Sequence, residues 1–191
     1  MDKEDEVFEL VDDQDNVIGT QLRGICHRLG LLHRAVYCWV FDNTGCVLIQ
    51  RRSPLKKIGP NQWDLSVAEH LQPGEDYLTA AVRGLSEELG IVVDTASIDG
   101  PLQPTHRREL HQGEFHDVEL VRSYVYRECS REGVKLLDGE VAEVRWVAPA
   151  ALREEVEKNP GVFTRWMREE GASLGWFLRE REERGVEPVS V

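Results

Sequence analysis

Glu75, Arg83, Glu87 and Glu88 set the chemistry that this sequence supports best. Positions three and four apart share a helix face, so position 84 would neighbour Glu87 and Glu88 in a helix. Carboxylates gathered in this way offer hard oxygen ligands, which suit Mg²⁺ or Mn²⁺. Without a cation, like charges so close weaken a helix. Arg83 precedes Glu87 by four residues, and its forked guanidinium pairs with Glu87 or with Glu75. Position 84 itself is glycine, which costs about 1 kcal/mol against alanine inside a helix. His27, His33 and His70 form a second set of interest, because imidazole ligates transition metals. A structural role for such scattered histidines stands beside the ligand role. Arg51, Arg52, Lys56 and Lys57 are the one basic cluster. A guanidinium fork suits phosphate oxygens, so Arg51, Arg52 and Lys57 are the expected substrate-binding residues.

These side chains need elements to hold them. A short apolar run over 7–11, a polar turn and a resumption at Val17 and Ile18 predict a hairpin. The β-prone run 35–41, the turn 42–45 and the run 46–51 predict two paired strands, and a further strand is expected over 64–68. Near Asp76 the apolar period changes from two to 3.6. Leu78, Ala81, Val82, Leu85 and Leu89 then make one stripe, with acidic residues at the start and Gly90 at the end. Strands are expected over 119–127 and 141–147, and a helix from Pro149 to about Lys158. A last helical region carries Trp166 and Met167, then Phe177 and Leu178, with a frayed tail after Arg184. The polar stretch 105–116 reads as a long loop, a lid or substrate-selecting segment with solvated His106, His111 and His116. Trp39 and Trp63 read as core. Exposed apolar residues near Trp166 and Trp176 suit a homodimer contact. The interleaving of strands and helices predicts an α/β fold, a mixed β-sheet sandwiched between α-helices.

The segment from Glu69 through Glu75, then Arg83-Gly84-Leu85-Ser86-Glu87-Glu88-Leu89-Gly90-Ile91, resembles the Nudix box, G-x5-E-x7-R-E-U-x-E-E-x-G-U. Seven of the nine defined positions match, and the two departures are Glu69 for Gly and Gly84 for Glu. The flanking Trp63-Asp64 and Ser66-Val67-Ala68, and the earlier Gln50-Arg51-Arg52-Ser53, resemble the family too. The resemblance implies metal-dependent cleavage of a diphosphate. It makes Glu87 and Glu88 metal ligands, Arg83 their orienting partner, and Gly84 the place of a missing ligand or general base. Glu69 then either points to solvent or reaches into the space left by Gly84 and partly replaces that group. The stretch 23–35 resembles the branch that contains isopentenyl-diphosphate isomerases and isomerase-like hydrolases. That likeness adds His27, His33, His70, Glu88 and Glu114 as metal-binding positions, with Asp117 or Glu119 as substitutes for Glu114. The isomerases need a cysteine two residues before the matching His70; here Ala68 stands there.

The formal net charge of −12 argues against duplex nucleic acid as a general partner. No apolar run approaches the roughly 20 residues of a membrane span. The acidic start lacks an apolar signal segment, and Cys26, Cys38, Cys46 and Cys129 show no zinc spacing. A cytoplasmic protein is expected, with residues 1–184 as a single domain and 185–191 as a tail. The leading function is Mg²⁺- or Mn²⁺-dependent hydrolysis of a small diphosphate, such as a nucleoside diphosphate derivative. Glu87, Glu88, Arg83 and Glu69 are the expected catalytic residues, and Glu87, Glu88, Glu114 and His70 the expected metal ligands. The alternatives are a domain that binds a diphosphate or a protein without turnover, and an isomerase-like activity.

Overall fold

Strand β3 (His33–Asp42) organises the molecule. Its residues alternate between two cores. Ala35, Tyr37 and Trp39 face one side, while Val36, Cys38 and Val40 face the other. Both faces are covered, which is why the run is apolar without interruption. This computed structural model describes residues 4–137 and 139–176.

One edge of β3 serves three strands in turn. β1 (Val7–Val11) meets it at His33, β6 (Val67–His70) along Ala35 to Cys38, and β4 (Val47–Arg52) at Val40 and Phe41, all antiparallel. The other edge takes β9 (Phe115–Cys129) in parallel, with His33 opposite Glu119 and Ala35 opposite Val121. β2 (Val17–Leu22) closes a hairpin on β1, and α1 (Arg23–Leu29) follows at once. β5 (Trp63–Asp64) and β10 (Val141–Val147) pair with β4. β7 (Ile98–Asp99) and β8 (His106–Gln112) pair with β9.

The expected amphipathic helix is α2 (Tyr77–Leu89). The Asp76 side chain caps its start by accepting the Thr79 N–H at 2.9 Å. Gly90 ends it in the left-handed conformation at φ 65°. Ala80, Ala81, Leu85 and Leu89 pack on the Val36 face. α3 (Pro149–Lys158) and α4 (Arg165–Ser173) cover the Trp39 face through Leu152, Val156, Trp166 and Met167. The result is a mixed sheet between helices, as the sequence predicts.

Two expectations are corrected. The strand over 64–68 is two pieces, β5 and β6, separated at Leu65 and Ser66. Ser66 holds the break by accepting the Val40 N–H at 2.8 Å and donating to the Leu48 carbonyl at 2.6 Å. The stretch 105–116 is not a loop: His106 and His111 lie in β8, and His116 lies in the return strand β9. Its inward positions are Arg108 and Leu110, and the buried charge disguises the alternation. Trp166 is buried, and half-buried Trp176 packs against the core, its ring edge on Trp39 with centroids 4.9 Å apart. Phe177, Leu178 and the tail after Arg184 lie outside the described residues. Among the described residues no helix is long and apolar enough to cross a membrane.

Candidate metal centre and cavity

Four elements bring His27, His33, His70 and Asp117 together. His27 comes from α1, His33 from the first residue of β3, His70 from the last of β6 and Asp117 from β9. Each offers a ligand atom, and all these atoms lie within 4.8 Å of one another. His33 Nδ1 is 2.8 Å from the Leu31 carbonyl, which only accepts, so Nδ1 carries its hydrogen. A neutral ring then presents its lone pair on Nε2, towards the cluster. Asp117 Oδ1 lies 3.4 Å from His33 Nε2 and 3.6 Å from His27 Nε2. Those three atoms are buried and make no hydrogen bond. Buried polar atoms are rarely left so, and a shared divalent cation is the partner that suits them. Three imidazoles and a carboxylate fit a first-row transition ion better than Mg²⁺.

Glu119 extends the cluster. Its Oε1 lies 3.1 Å from His70 Nε2. Arg108 takes the outer oxygens of both carboxylates. Nε and Nη2 donate to Glu119 Oε2 at 2.8 and 2.6 Å, and Nη2 also donates to Asp117 Oδ2. Burial opposes ionisation of Asp117 and Glu119, but His33 and Arg108 beside Asp117, and Arg108 and His70 beside Glu119, hold both carboxyls below the usual range. Burial pushes His27 down to about 4 and His70 to about 3, which keeps these rings neutral. Burial also opposes charge on His33, yet the adjoining Asp117 and Glu119 raise it.

The cluster forms part of the wall of a cavity of about 400 Å³. Arg23, Arg28, Arg52, Lys56 and Lys57 line it, opposed by Glu4, Glu69, Glu114 and Glu140. Lys56 pairs with Glu140 and Lys57 with Glu4. Tyr37, Ala68, Leu110, Phe115 and Trp166 supply apolar wall. Ala68 confirms that a methyl group stands in the lining two residues before His70.

The acidic helix forms a second group beside this one. Arg83 donates to Glu75 at 3.0 Å through both Nε and Nη2, and to the His70 carbonyl at 2.8 Å. Its Nη1 meets Glu69 at 3.1 Å and Glu87 at 3.3 Å. Burial of Glu69 raises its carboxyl, and Arg83 opposes that rise. Glu69 lines the cavity; Glu87 is exposed on its outer side, and Glu88 is buried, accepting from Gln50 Nε2 at 2.8 Å.

Of the residues singled out in the sequence, the structure brings His70, Glu69, Arg52, Lys57 and Glu114 to the cavity wall. Arg51 points elsewhere and pairs with Glu143 at 3.2 Å. Glu87 and Glu88 stand outside both the lining and the four-membered cluster. Glu114 lies exposed in the β8–β9 turn, and Asp117, three residues on and facing inward, takes the place beside the histidines. Arg108 was not singled out. The available signal for Asp117 and Glu119 was their period-two spacing, which puts both on one face of a strand.

The match to known proteins agrees with this geometry. The family model for the NUDIX domain matches residues 31–167, and the chain belongs to that family. Within it, the chain falls in the branch of the isopentenyl-diphosphate isomerases. It is 33% identical to isopentenyl-diphosphate Delta-isomerase 2 of Photorhabdus laumondii over 167 residues, 86% of this chain and 89% of that protein. An uncharacterised Nudix hydrolase of Streptomyces coelicolor is 39% identical over 90 residues, 47% of this chain and 50% of that one. Among solved structures, a Deinococcus radiodurans protein aligns with a TM-score of 0.64 at 23% identity, over 91% of this chain and all of that one. That last likeness shows the fold.

Proposed function

We propose that this chain hydrolyses a small diphosphate, such as a nucleoside diphosphate derivative, with a divalent ion held by His27, His33, His70 and Asp117. The observation that carries the reading is the set of partnerless buried atoms, His27 Nε2, His33 Nε2 and Asp117 Oδ1, beside a cavity whose lining includes Arg52, Lys56 and Lys57. Of Mg²⁺ and Mn²⁺, the imidazole-rich set favours Mn²⁺. Such an ion neutralises phosphate oxygens and acidifies water. Arg52, Lys56 and Lys57 bind the diphosphate through its charge. Glu69, beside His70 in the lining, is the group assigned to accept the proton from the attacking water. Water adds to one phosphorus, the bridging P–O bond breaks, and a phosphate leaves with the bond electrons. Arg83 supports the centre by fixing Glu69 and the His70 peptide, while Glu87 and Glu88 complete the acidic helix behind it.

Ala68 separates this reading from isomerisation. The isomerases that the chain resembles need a cysteine at this position, and the methyl group of Ala68 can neither give nor take a proton there. A phosphate-release panel on the full chain with Mn²⁺ and with Mg²⁺ tests the reading, alongside His33→Gln and Glu69→Gln. The expected result is Mn²⁺-dependent release that falls about 10²-fold or more in each variant. Tight diphosphate binding with no release from any panel member would instead assign the chain to ligand binding without turnover.

A further inference from the structure

Arg108 places a fixed positive charge beside the histidine cluster. It comes from β8, is nine-tenths buried and lines the cavity next to Leu110. Its guanidinium carbon lies 5.6 Å from the centre of the Trp166 ring. Its hydrogen bonds leave from Nε and Nη2, so both are spent on Asp117 and Glu119. Nη1 has no acceptor among the described residues. Nη1 is not shut away from the cavity that Arg108 lines, so its donors are open to an acceptor that enters there.

Charge balance points the same way. Asp117 and Glu119 already share the cation of Arg108. A divalent ion on the histidine side would therefore leave this wall with one net positive charge. A neutral residue at 108 would leave it uncharged. In a partly buried site an unbalanced charge acts strongly on whatever comes next to it. It favours an oxygen acceptor and opposes a bare hydrocarbon, which would also strand Nη1.

We propose that Arg108 makes this wall an oxygen-selective subsite: the part of the substrate beyond its diphosphate carries a carboxylate or carbonyl oxygen that accepts from Nη1, and a purely hydrocarbon part is rejected. Trp166, Leu110 and Ala68 flank the few atoms between that oxygen and the diphosphate. The subsite rests on the diphosphate reading only for the phosphate end of the ligand.

Calorimetric titration of the Mn²⁺-loaded full chain tests it with three probes: inorganic diphosphate, isopentenyl diphosphate and 4-(diphosphooxy)butanoate. In parallel, free butanoate is titrated against tryptophan fluorescence, since Trp166 adjoins Arg108. The expected wild-type result is at least about tenfold tighter binding of the carboxylate-tailed ester than of the hydrocarbon-tailed one. In Arg108→Gln, with Mn²⁺ raised to saturation and each affinity taken relative to that of inorganic diphosphate in the same variant, the preference for the carboxylate-tailed ester falls to within about threefold. Arg108→Lys keeps the charge and loses the fork, so it retains part of the preference, and it serves as the reading variant if Arg108→Gln does not fold. Equal or tighter binding of isopentenyl diphosphate by the wild type, or a preference that survives both substitutions, overturns the proposal. If no diphosphate binds but butanoate gives an Arg108-dependent response, the subsite stands and the diphosphate reading falls. If butanoate gives none either, both fall.

Discussion

Glu69 fills the clearance that Gly84 provides. A Cβ at position 84 would stand 3.3 Å from Glu69 Cβ, 3.6 Å from Glu69 Cγ and 2.6 Å from Val67 Cγ1. Relative to the family pattern, the glycine and the glutamate have exchanged places across the contact between α2 and β6. The carboxylate missing from the helix arrives from the strand and meets the same Arg83 that holds Glu75 and Glu87. Gly84 is therefore a packing requirement.

Gly84→Glu consequently fails to repair the motif. Helix propensity favours the change by about 1 kcal/mol, but a Cβ at 2.6 Å from Val67 forces repacking, and overpacking a core costs about 1–3 kcal/mol. We expect a lower Tm in thermal unfolding and no gain in phosphate release. The double change Glu69→Gly with Gly84→Glu recovers part of the Tm, because one of the two clashing side chains is gone. A single Gly84→Glu variant with unchanged Tm and raised release would show that the strand gives way.

Arg83 links the acidic helix to the histidine centre. It donates to the His70 carbonyl, while Glu69 Oε1 accepts the His70 N–H at 2.8 Å. The His70 peptide is thus gripped on both sides by one ion pair. Outer groups that orient a ligand are typically worth about 10–100-fold in metal affinity. Arg83→Lys, which cannot make the forked contacts, should weaken Mn²⁺ binding by about that factor in a direct titration. Unchanged affinity with a lowered Tm would reduce Arg83 to a purely structural residue.

Metal binding should stabilise the fold. An ion that binds the folded chain alone adds about 2.7 kcal/mol at a hundredfold excess over Kd. We expect Mn²⁺ to raise Tm in a concentration-dependent way and a chelator to reverse it. His33→Ala should abolish the rise, and Mg²⁺ should give a smaller one. A rise that persists in His33→Ala would place the ion elsewhere, with the carboxylates of α2 the next site to test.

Much of this was legible in the sequence because it is local. The α2 stripe, its Asp76 cap and Gly90 stop, strand β10 and helix α3 follow from spacings within a dozen residues. Glu69 and Gly84 were legible as two departures from one motif, but their contact depends on how α2 packs on β6. The histidine centre was only half legible. Its members were visible as residues, but their meeting depends on the parallel pairing of β3 with β9 and the antiparallel pairing of β3 with β6. Those pairings set His33 opposite Glu119 and Ala35 opposite His70, and nothing local in the chain specifies them. Arg108 was hidden for another reason. A charged residue among charged neighbours reads as solvated, and only its two carboxylate partners justify its burial.

The clasp between β8 and α4 should show itself in the pH dependence of stability. Glu170 is buried under α4, where it accepts from Gln103 Nε2 at 2.7 Å and from Ser123 Oγ and pairs with His106 Nε2 at 3.0 Å. The hydrogen bond to Glu170 raises the His106 pKa; burial and the nearby Arg108 oppose this but do not cancel it. A raised folded-state pKa means that protonated His106 stabilises the folded chain. That contribution is complete below the unfolded value of about 6.5 and disappears as pH rises through the folded value. His106→Gln keeps a hydrogen-bonding side chain and removes the charge. The Tm difference between wild type and His106→Gln should therefore be largest near pH 6 and shrink towards pH 8.5, with other titrating groups common to both proteins. A difference that stays constant across that range would mean that His106 holds α4 by packing and a neutral hydrogen bond alone.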